Sequence, residues 1–186
     1  METQVFIVPF DKTVEIEDGF QKQKHSKDIW NKYSNIGFYV DKDMANKNIA
    51  MQQIIPYTLI RNDKGEFFSA SLTNNDNTII SLGFGDNITV TDGLIQPLFK
   101  GAVRTLFDAI TLEETKPLRF IGTVRDKAIN DKYIGYVFII DNINDVTINN
   151  DKLQGAWLSR QDLIDKYNNL ETWSKHIVDY LIDNVI

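Results

Sequence analysis

The chain contains no cysteine and only two histidines, His25 and His176, among its 186 residues. Disulfide scaffolds, cysteine zinc sites and thiol nucleophiles are therefore excluded, and most histidine-based metal or triad chemistry goes with them. An excess of positive charge is also missing. Lys and Arg number 20 against 26 Asp and Glu, a net charge of −6 with no basic cluster, so the electrostatic footprint of a nucleic-acid or anionic-membrane binder is absent. Long apolar runs are lacking too. Met1 to Phe10 carries one acidic residue and a short Val5–Val8 apolar stretch, which is neither a signal peptide nor a membrane span. A cytoplasmic protein is the expectation.

What remains is the composition of an ordinary globular chain, 42% hydrophobic and 25% charged, long enough for a real core in one domain. Asn-rich stretches such as Asn74-Asn75-Asp76-Asn77 and Asn149-Asn150-Asp151 read as turns.

Val5–Pro9 and Gly37–Val40 read as short strands that belong together, and Ile54–Ile60, a glycine-containing turn and Glu66–Leu72 read as a hairpin. Ile79–Leu82 is a further strand. After the glycine-bearing loop Gly83–Asn87 the period changes. From Leu94 to Ile110, Ile95, Leu98, Phe99, Ala102, Val103, Leu106 and Ile110 recur at helical spacing, with Pro97 in the first turn, where its missing N–H costs nothing. Leu118–Val124, Tyr136–Ile140 and Ala156–Leu158 are apolar runs of strand type. Ser159 with Asp162 forms a capping-box pattern, and Leu170–Ile182 gives a last amphipathic helix. This order fits one α/β sandwich over residues 1–186, with N-terminal strands and an extension in 1–50, a core in 51–186, and helices on both faces of a mixed sheet.

On the central helix Gln96, Lys100, Arg104 and Asp108 recur every four positions and form one polar stripe. Such a stripe on its own is what any surface helix presents. Its surroundings carry more. The segments Gln53-Ile54-Ile55-Pro56-Tyr57, Leu82-Gly83-Phe84-Gly85-Asp86-Asn87-Ile88 and Asp92-Gly93, the strand Phe120-Ile121-Gly122, Trp157 and the Glu171-Thr172-Trp173-Ser174 helix start resemble the Nudix hydrolase superfamily, in particular a branch of predicted phosphoesterases. That branch usually has Gly-Gly-His-Ile where this chain has Gly85-Asp86-Asn87-Ile88. The family motif is G-x5-E-x7-R-E-U-x-E-E-x-G-U; its R-E-U-x-E-E-x-G-U run falls on Arg104-Thr105-Leu106-Phe107-Asp108-Ala109-Ile110-Thr111-Leu112, and the loop between Gly85 and Gln96 is longer than G-x5-E permits. Arg104, an acidic Asp108 and the aliphatic positions survive. Thr105 and Ala109 stand where glutamates are expected, Gln96 where the upstream glutamate is, and Thr111 where the glycine is.

The resemblance implies a Nudix-like α/β/α sandwich. In that family Mg²⁺ on the helix carboxylates orients water against a nucleoside-linked diphosphate. With one helix carboxylate left, the expectation here is a protein that binds a nucleoside-diphosphate-linked ligand with lost or weakened hydrolysis. Gln96, Lys100, Arg104, Gly85 and Asp86 are the ligand-binding candidates. The alternatives are an active Mg²⁺-dependent phosphohydrolase, with Asp108 as the catalytic residue and Asp108, Asp92 and Asp126 as metal ligands, and a partner-binding structural protein. The loop pair Glu113-Glu114 is a further carboxylate source. A nucleotide-type small molecule is the expected partner, without nucleic acid or membrane, and a homodimer stays open.

Three structural expectations follow. Leu98, Ala102, Leu106 and Ile110 should be buried while Lys100 and Arg104 are not. The ligand pocket should be bounded by Gly83–Asp92, the N-terminal half of the helix and Arg125-Asp126. Trp30, Tyr33, Phe38 and Tyr39 belong to the core or to a nucleobase-stacking surface.

Overall fold

The computed structural model describes residues 3–13, 16–23, 33, 35–74, 77–93 and 95–184. His25, Trp30 and Leu94 lie outside the described residues. The strands are β1 (Gln4–Pro9), β2 (Gly19–Lys22), β3 (Phe38–Asp41), β4 (Met51–Arg61), β5 (Phe67–Asn74), β6 (Asn77–Ser81), β7 (Gly83–Gly85), β8 (Ile110–Leu112), β9 (Arg119–Arg125), β10 (Tyr133–Asp141), β11 (Val146–Ile148) and β12 (Gln154–Leu158). The helices are α1 (Lys42–Lys47), α2 (Pro97–Ala109), the single turn α3 (Lys127–Asn130), α4 (Arg160–Asp165) and α5 (Thr172–Asp183). Among the described residues ten strands form one mixed sheet, and β8 with β11 forms a separate ribbon.

The organising element is β4. Along one edge it runs parallel to β10, from Gln53↔Tyr133 to Arg61↔Asp141. The other edge is shared in succession by β1 at Met51–Gln53, β7 at Tyr57–Leu59 and β5 at Arg61. The expected hairpin is therefore present but splays after one residue pair, because β7 takes the place beside β4 and β5 goes on to pair with β6 and β12.

A strand flanked on both edges and covered on both faces needs apolar residues in both phases of its alternation. Tyr57 and Leu59 of β4 join Val137 and Ile139 of β10 in a core shared with Ile177 and Val178 of α5. Ile54, with Ile134, Tyr136 and Phe138, packs with Leu98 and Ala102 of α2. Ile60 and Ile140 meet Leu106 and Ile110 at the end of α2. Helices on both faces of a mixed sheet are thus the observed architecture, as the sequence predicts. Among the described residues no helix is long and apolar enough to cross a membrane.

Helix α2 begins three residues later than the periodicity predicts. Gln96 precedes it in the left-handed conformation, φ 53°, and Pro97 opens it. Ile95, placed by its spacing on the core face, is 75% exposed, and Phe99 is exposed as well. Leu98, Ala102, Leu106 and Ile110 are buried as expected, Ile110 as the first residue of β8 rather than of the helix. Tyr33 belongs to the core beneath α2, and Phe38 is exposed.

Candidate functional site

The segment from β7 to α2 is tied to the helix by a forked ion pair. Arg104 donates from Nε to Asp92 Oδ1 at 2.8 Å and from Nη2 to Asp92 Oδ2 at 3.0 Å. Nη2 also donates to the Asn87 carbonyl at 2.7 Å. Asp92 is itself a capping residue, accepting from the Thr89 N–H at 2.8 Å, and its side chain is 2% exposed. The hydrogen bonds that Asp92 accepts hold the Arg104 guanidinium above its ordinary pKa, against the opposite pull of burial. Gly101 lets the helix pass close over this pair, since a Cβ there would sit 3.3 Å from Asp92 Oδ2 and 3.4 Å from Ile88 and Pro56. Behind the pair an amide relay runs from the buried Asn87 and Gln53 out to the exposed Asn46. Asn87 Nδ2 donates to Gln53 Oε1 at 2.7 Å, and Gln53 Nε2 donates to Asn46 Oδ1 of α1 at 2.9 Å. Asn87 occupies the position of the histidine in the resembled branch and does its donating inward.

The two glycines of β7 serve the same close packing. A Cβ on Gly83 would fall 2.0 Å from the Tyr57 ring, and one on Gly85 would fall 2.1 Å from the Pro56 carbonyl oxygen. Neither has a positive φ. Their smallness lets β7 lie against β4, so the need for glycine at 85 is met by the fold before any ligand. Tyr57 is the anchor below. Its hydroxyl donates to Glu171 at 2.6 Å and accepts from the Gly83 N–H at 3.0 Å. Burial, with Glu171 adding to it, pushes this phenol well above its usual range.

These constraints leave a cleft of about 480 Å³ between β7, the C-terminal half of α2 and the β5–β6 ribbon. Gly85, Asp86, Arg104 and Asp108, all candidates from the sequence, meet in its lining together with Thr105 and Ala109. Its far wall is Ala70, Leu72, Ile79 and Leu153. The rim carries two loose ion pairs. Arg104 Nη1 is 3.5 Å from Asp108, whose side chain is 69% exposed, and Lys42 is 3.6 Å from Asp86, 63% exposed.

The remaining candidates lie elsewhere. Gln96, just before α2, and Lys100, in its N-terminal half, are exposed and do not line the cleft. Asp92 has both oxygens on Arg104, and a cation there would have to displace the guanidinium. Asp126 Oδ2 lies 3.0 Å from Nε2 of His176 on α5, a hydrogen bond that the carboxylate accepts, and Asp126 does not line the cleft. Arg125 is fully buried, bonded to Asp131 and to the Thr13 and Ile16 carbonyls. The pocket expected against Arg125-Asp126 and the start of the helix is thus displaced to the helix end, because Arg125 and Asp92 are spent on holding the fold. Glu113 and Glu114 border a separate small pocket with Asn142 and Asp145. The sequence reading missed Gly101, Asn87, Gln53 and the Leu72, Ile79 and Leu153 wall.

No family model matches the chain, and no curated protein matches it. Solved structures do. The crystal structure of Tm1382, a candidate Nudix hydrolase, aligns at TM-score 0.84 with 19% identity over 97% of this chain and 98% of that one. MutT from Aliivibrio salmonicida and Vibrio cholerae aligns at 0.50 with 14% identity over 71% and 98%. A bifunctional NMN adenylyltransferase/ADP ribose pyrophosphatase from Francisella tularensis aligns at 0.50 with 10% identity over 72% and 41%. The fold of this chain is the Nudix fold.

That fold family implies Mg²⁺, and the residues present do not fit it. Mg²⁺ asks for an octahedral oxygen shell. The helix offers Asp108 alone, with a guanidinium nitrogen at 3.5 Å and with Thr105 and Ala109 at the neighbouring positions in the lining. Among the described residues no group of three or more His, Asp or Glu is placed to hold a metal ion.

Proposed function

We propose that this Nudix-fold protein binds a nucleoside-diphosphate-linked ligand at the α2 cleft and does not hydrolyse it. The observation that carries this reading is the state of Arg104. Two of its nitrogens are fixed by Asp92 and Asn87, so its third, Nη1, is presented at the cleft with only a long contact to an exposed carboxylate. A guanidinium oriented in advance, with one N–H edge left over, is a phosphate donor that needs little reorganisation. Lys42, 3.6 Å from the lining residue Asp86 though not itself in the lining, supplies a second positive charge nearby. The action of the Francisella tularensis relative on ADP ribose supports a nucleotide-type ligand. Water activation would need a metal on several carboxylates, and Thr105 and Ala109 contribute none.

A second reading is favoured by one observation. Asp86 lines the same cleft as Asp108, so a hydrolase with relocated carboxylates would draw on these two. A thermal-shift series with ADP-ribose and nucleotide sugars, with and without Mg²⁺, tests the first reading. A ligand at about 100 times its Kd stabilises by about 2.7 kcal/mol. Stabilisation independent of Mg²⁺ is expected, and absence of any shift with every ligand would refute binding.

A further inference from the structure

We infer that the group this cleft takes in, beneath the Arg104 edge, is aliphatic, and that a nucleobase is left outside it. The inference rests on the anion-binding reading above for the position of the phosphate, and goes beyond it in assigning what lies beside that phosphate.

Two observations carry it. The first is the wall. Leu72 of β5 and Ile79 of β6 are directly paired across the ribbon, both line the cleft, and they are 37% and 51% exposed. Leu153 and Ala109 extend the same surface. An adjacent pair of exposed branched side chains facing a cleft of this size gains most by covering with another aliphatic group. The second is how the polar groups of the lining are spent. The Ser81 hydroxyl donates to the Gly83 carbonyl at 2.9 Å, and the Thr105 hydroxyl is directed to the Ala102 carbonyl at 3.4 Å. Recognition of a base edge needs donors and acceptors that face the ligand, because a base buried without them loses its hydrogen bonds to water. Among the described residues of the lining, stacking finds no open ring either. Phe84, the aromatic residue of the lining, is 5% exposed and lies against Phe68 with ring centroids 6.2 Å apart. What stays available is charge at the rim and hydrocarbon inside, the complement of an aliphatic group carried on a phosphate or diphosphate.

The test is a set of calorimetric titrations of the full chain with n-octyl phosphate, 1-octanol, AMP and inorganic phosphate, repeated on Ile79→Asn and Leu72→Asn. Both substitutions replace exposed side chains, and circular dichroism verifies that the fold is kept. Octyl phosphate is expected to bind at least about tenfold more tightly than AMP or phosphate, and each substitution to weaken it about tenfold. AMP binding as tightly as octyl phosphate, unmoved by Ile79→Asn, would overturn the aliphatic assignment while leaving the anion site standing. Octanol binding as tightly as octyl phosphate, and sensitive to Ile79→Asn, would keep the aliphatic seat and remove the anion site. Binding of none of the four would overturn both.

Discussion

Arg104 and Asp92 face each other across 12 residues of chain, joined by two hydrogen bonds that leave the carboxylate nearly inaccessible to water. The pair ties the loop after β7 to the middle of α2, and through the Asn87 carbonyl it fixes the direction from which the guanidinium reaches the cleft. A residue that would be a phosphate ligand on an isolated helix is here first a structural clamp, with one edge left over.

Removing the buried partner should expose the cost of that clamp. Asp92→Ala is expected to destabilise by about 3 kcal/mol, the lower end for a broken buried pair, because Arg104 remains 29% exposed and can turn to solvent. Arg104→Lys should not rescue stability, since a point charge cannot reproduce the forked contact. Urea denaturation of both variants decides it, and losses within about 0.5 kcal/mol, the range of ordinary surface changes, would refute the clamp.

Leu106 is 1% exposed and Phe107, its neighbour, 41%. Leu106→Ala should cost about 2–5 kcal/mol as a core cavity, while Phe107→Ala should stay within about 0.5 kcal/mol. Reversal of that order in thermal or chemical unfolding would mean that α2 turns a different face to the sheet.

Gly85→Ala would place a methyl 2.1 Å from the Pro56 carbonyl oxygen, a backbone atom that cannot swing aside. The variant should lose the β7–β4 pairing, seen as faster amide exchange at Gly83–Gly85. Unchanged exchange and unchanged stability would contradict the close approach.

The helix α4 carries a pH-dependent cap. Ser159 and Asp162 cap one another, the Ser159 N–H donating to Asp162 Oδ2 at 2.9 Å. Hydrogen bonding from the Ser159 side chain first, then from its backbone N–H, holds the Asp162 carboxyl below its ordinary value of 3.8. A depressed carboxylate adds stability above the unfolded-state value and loses it as pH falls through the folded one. Ser159→Ala should therefore flatten the decline of stability below about pH 4, where the unfolded carboxyl titrates. Melting curves over the acid range measure it, and parallel declines in wild type and variant would remove the cap from the account.

The parts of the fold that could be read from the sequence are those set by local pattern. The apolar runs in β1, β4, β9 and β10 and the spacing of Leu98, Ala102 and Leu106 announce strands and helix directly, and Ser159 with Asp162 marks the start of α4. Errors arose where tertiary pairing overrules the pattern. Ile95 extends the helical period backwards, yet Pro97 opens the helix and Gln96 turns the chain into it. Lys42–Lys47 buries only Ala45, so no amphipathic period announces α1. Within the site, Arg104 and Asp108 were legible because motif spacing fixes their helix phase. The engagement of Asp92 was not, since a loop aspartate on a cap and one on a metal look alike in sequence. Leu72 and Ile79 read as strand residues, and only the splaying of β5 from β4 turns them into a wall.

Restoring carboxylates should restore the cation. The double variant Thr105→Glu, Ala109→Glu sets two charges beside Asp108 and is expected to bind Mg²⁺ more tightly than wild type by calorimetry. Turnover need not return with it, because positioning also depends on the loop before α2. Equal Mg²⁺ affinities in the two proteins would contradict the assignment of those positions to the lost metal face.

The most direct measurement is a titration of wild type and Asp108→Asn with ADP-ribose, with and without Mg²⁺, followed by chromatography of the recovered nucleotide. If the cleft holds its ligand through Arg104, ADP-ribose binds without metal and is recovered intact. Asp108→Asn then binds at least as tightly, because the carboxylate 3.5 Å from Nη1 no longer competes with phosphate. Mg²⁺-dependent release of AMP by the wild type, abolished in Asp108→Asn, would contradict the account and make this cleft a working hydrolase centre.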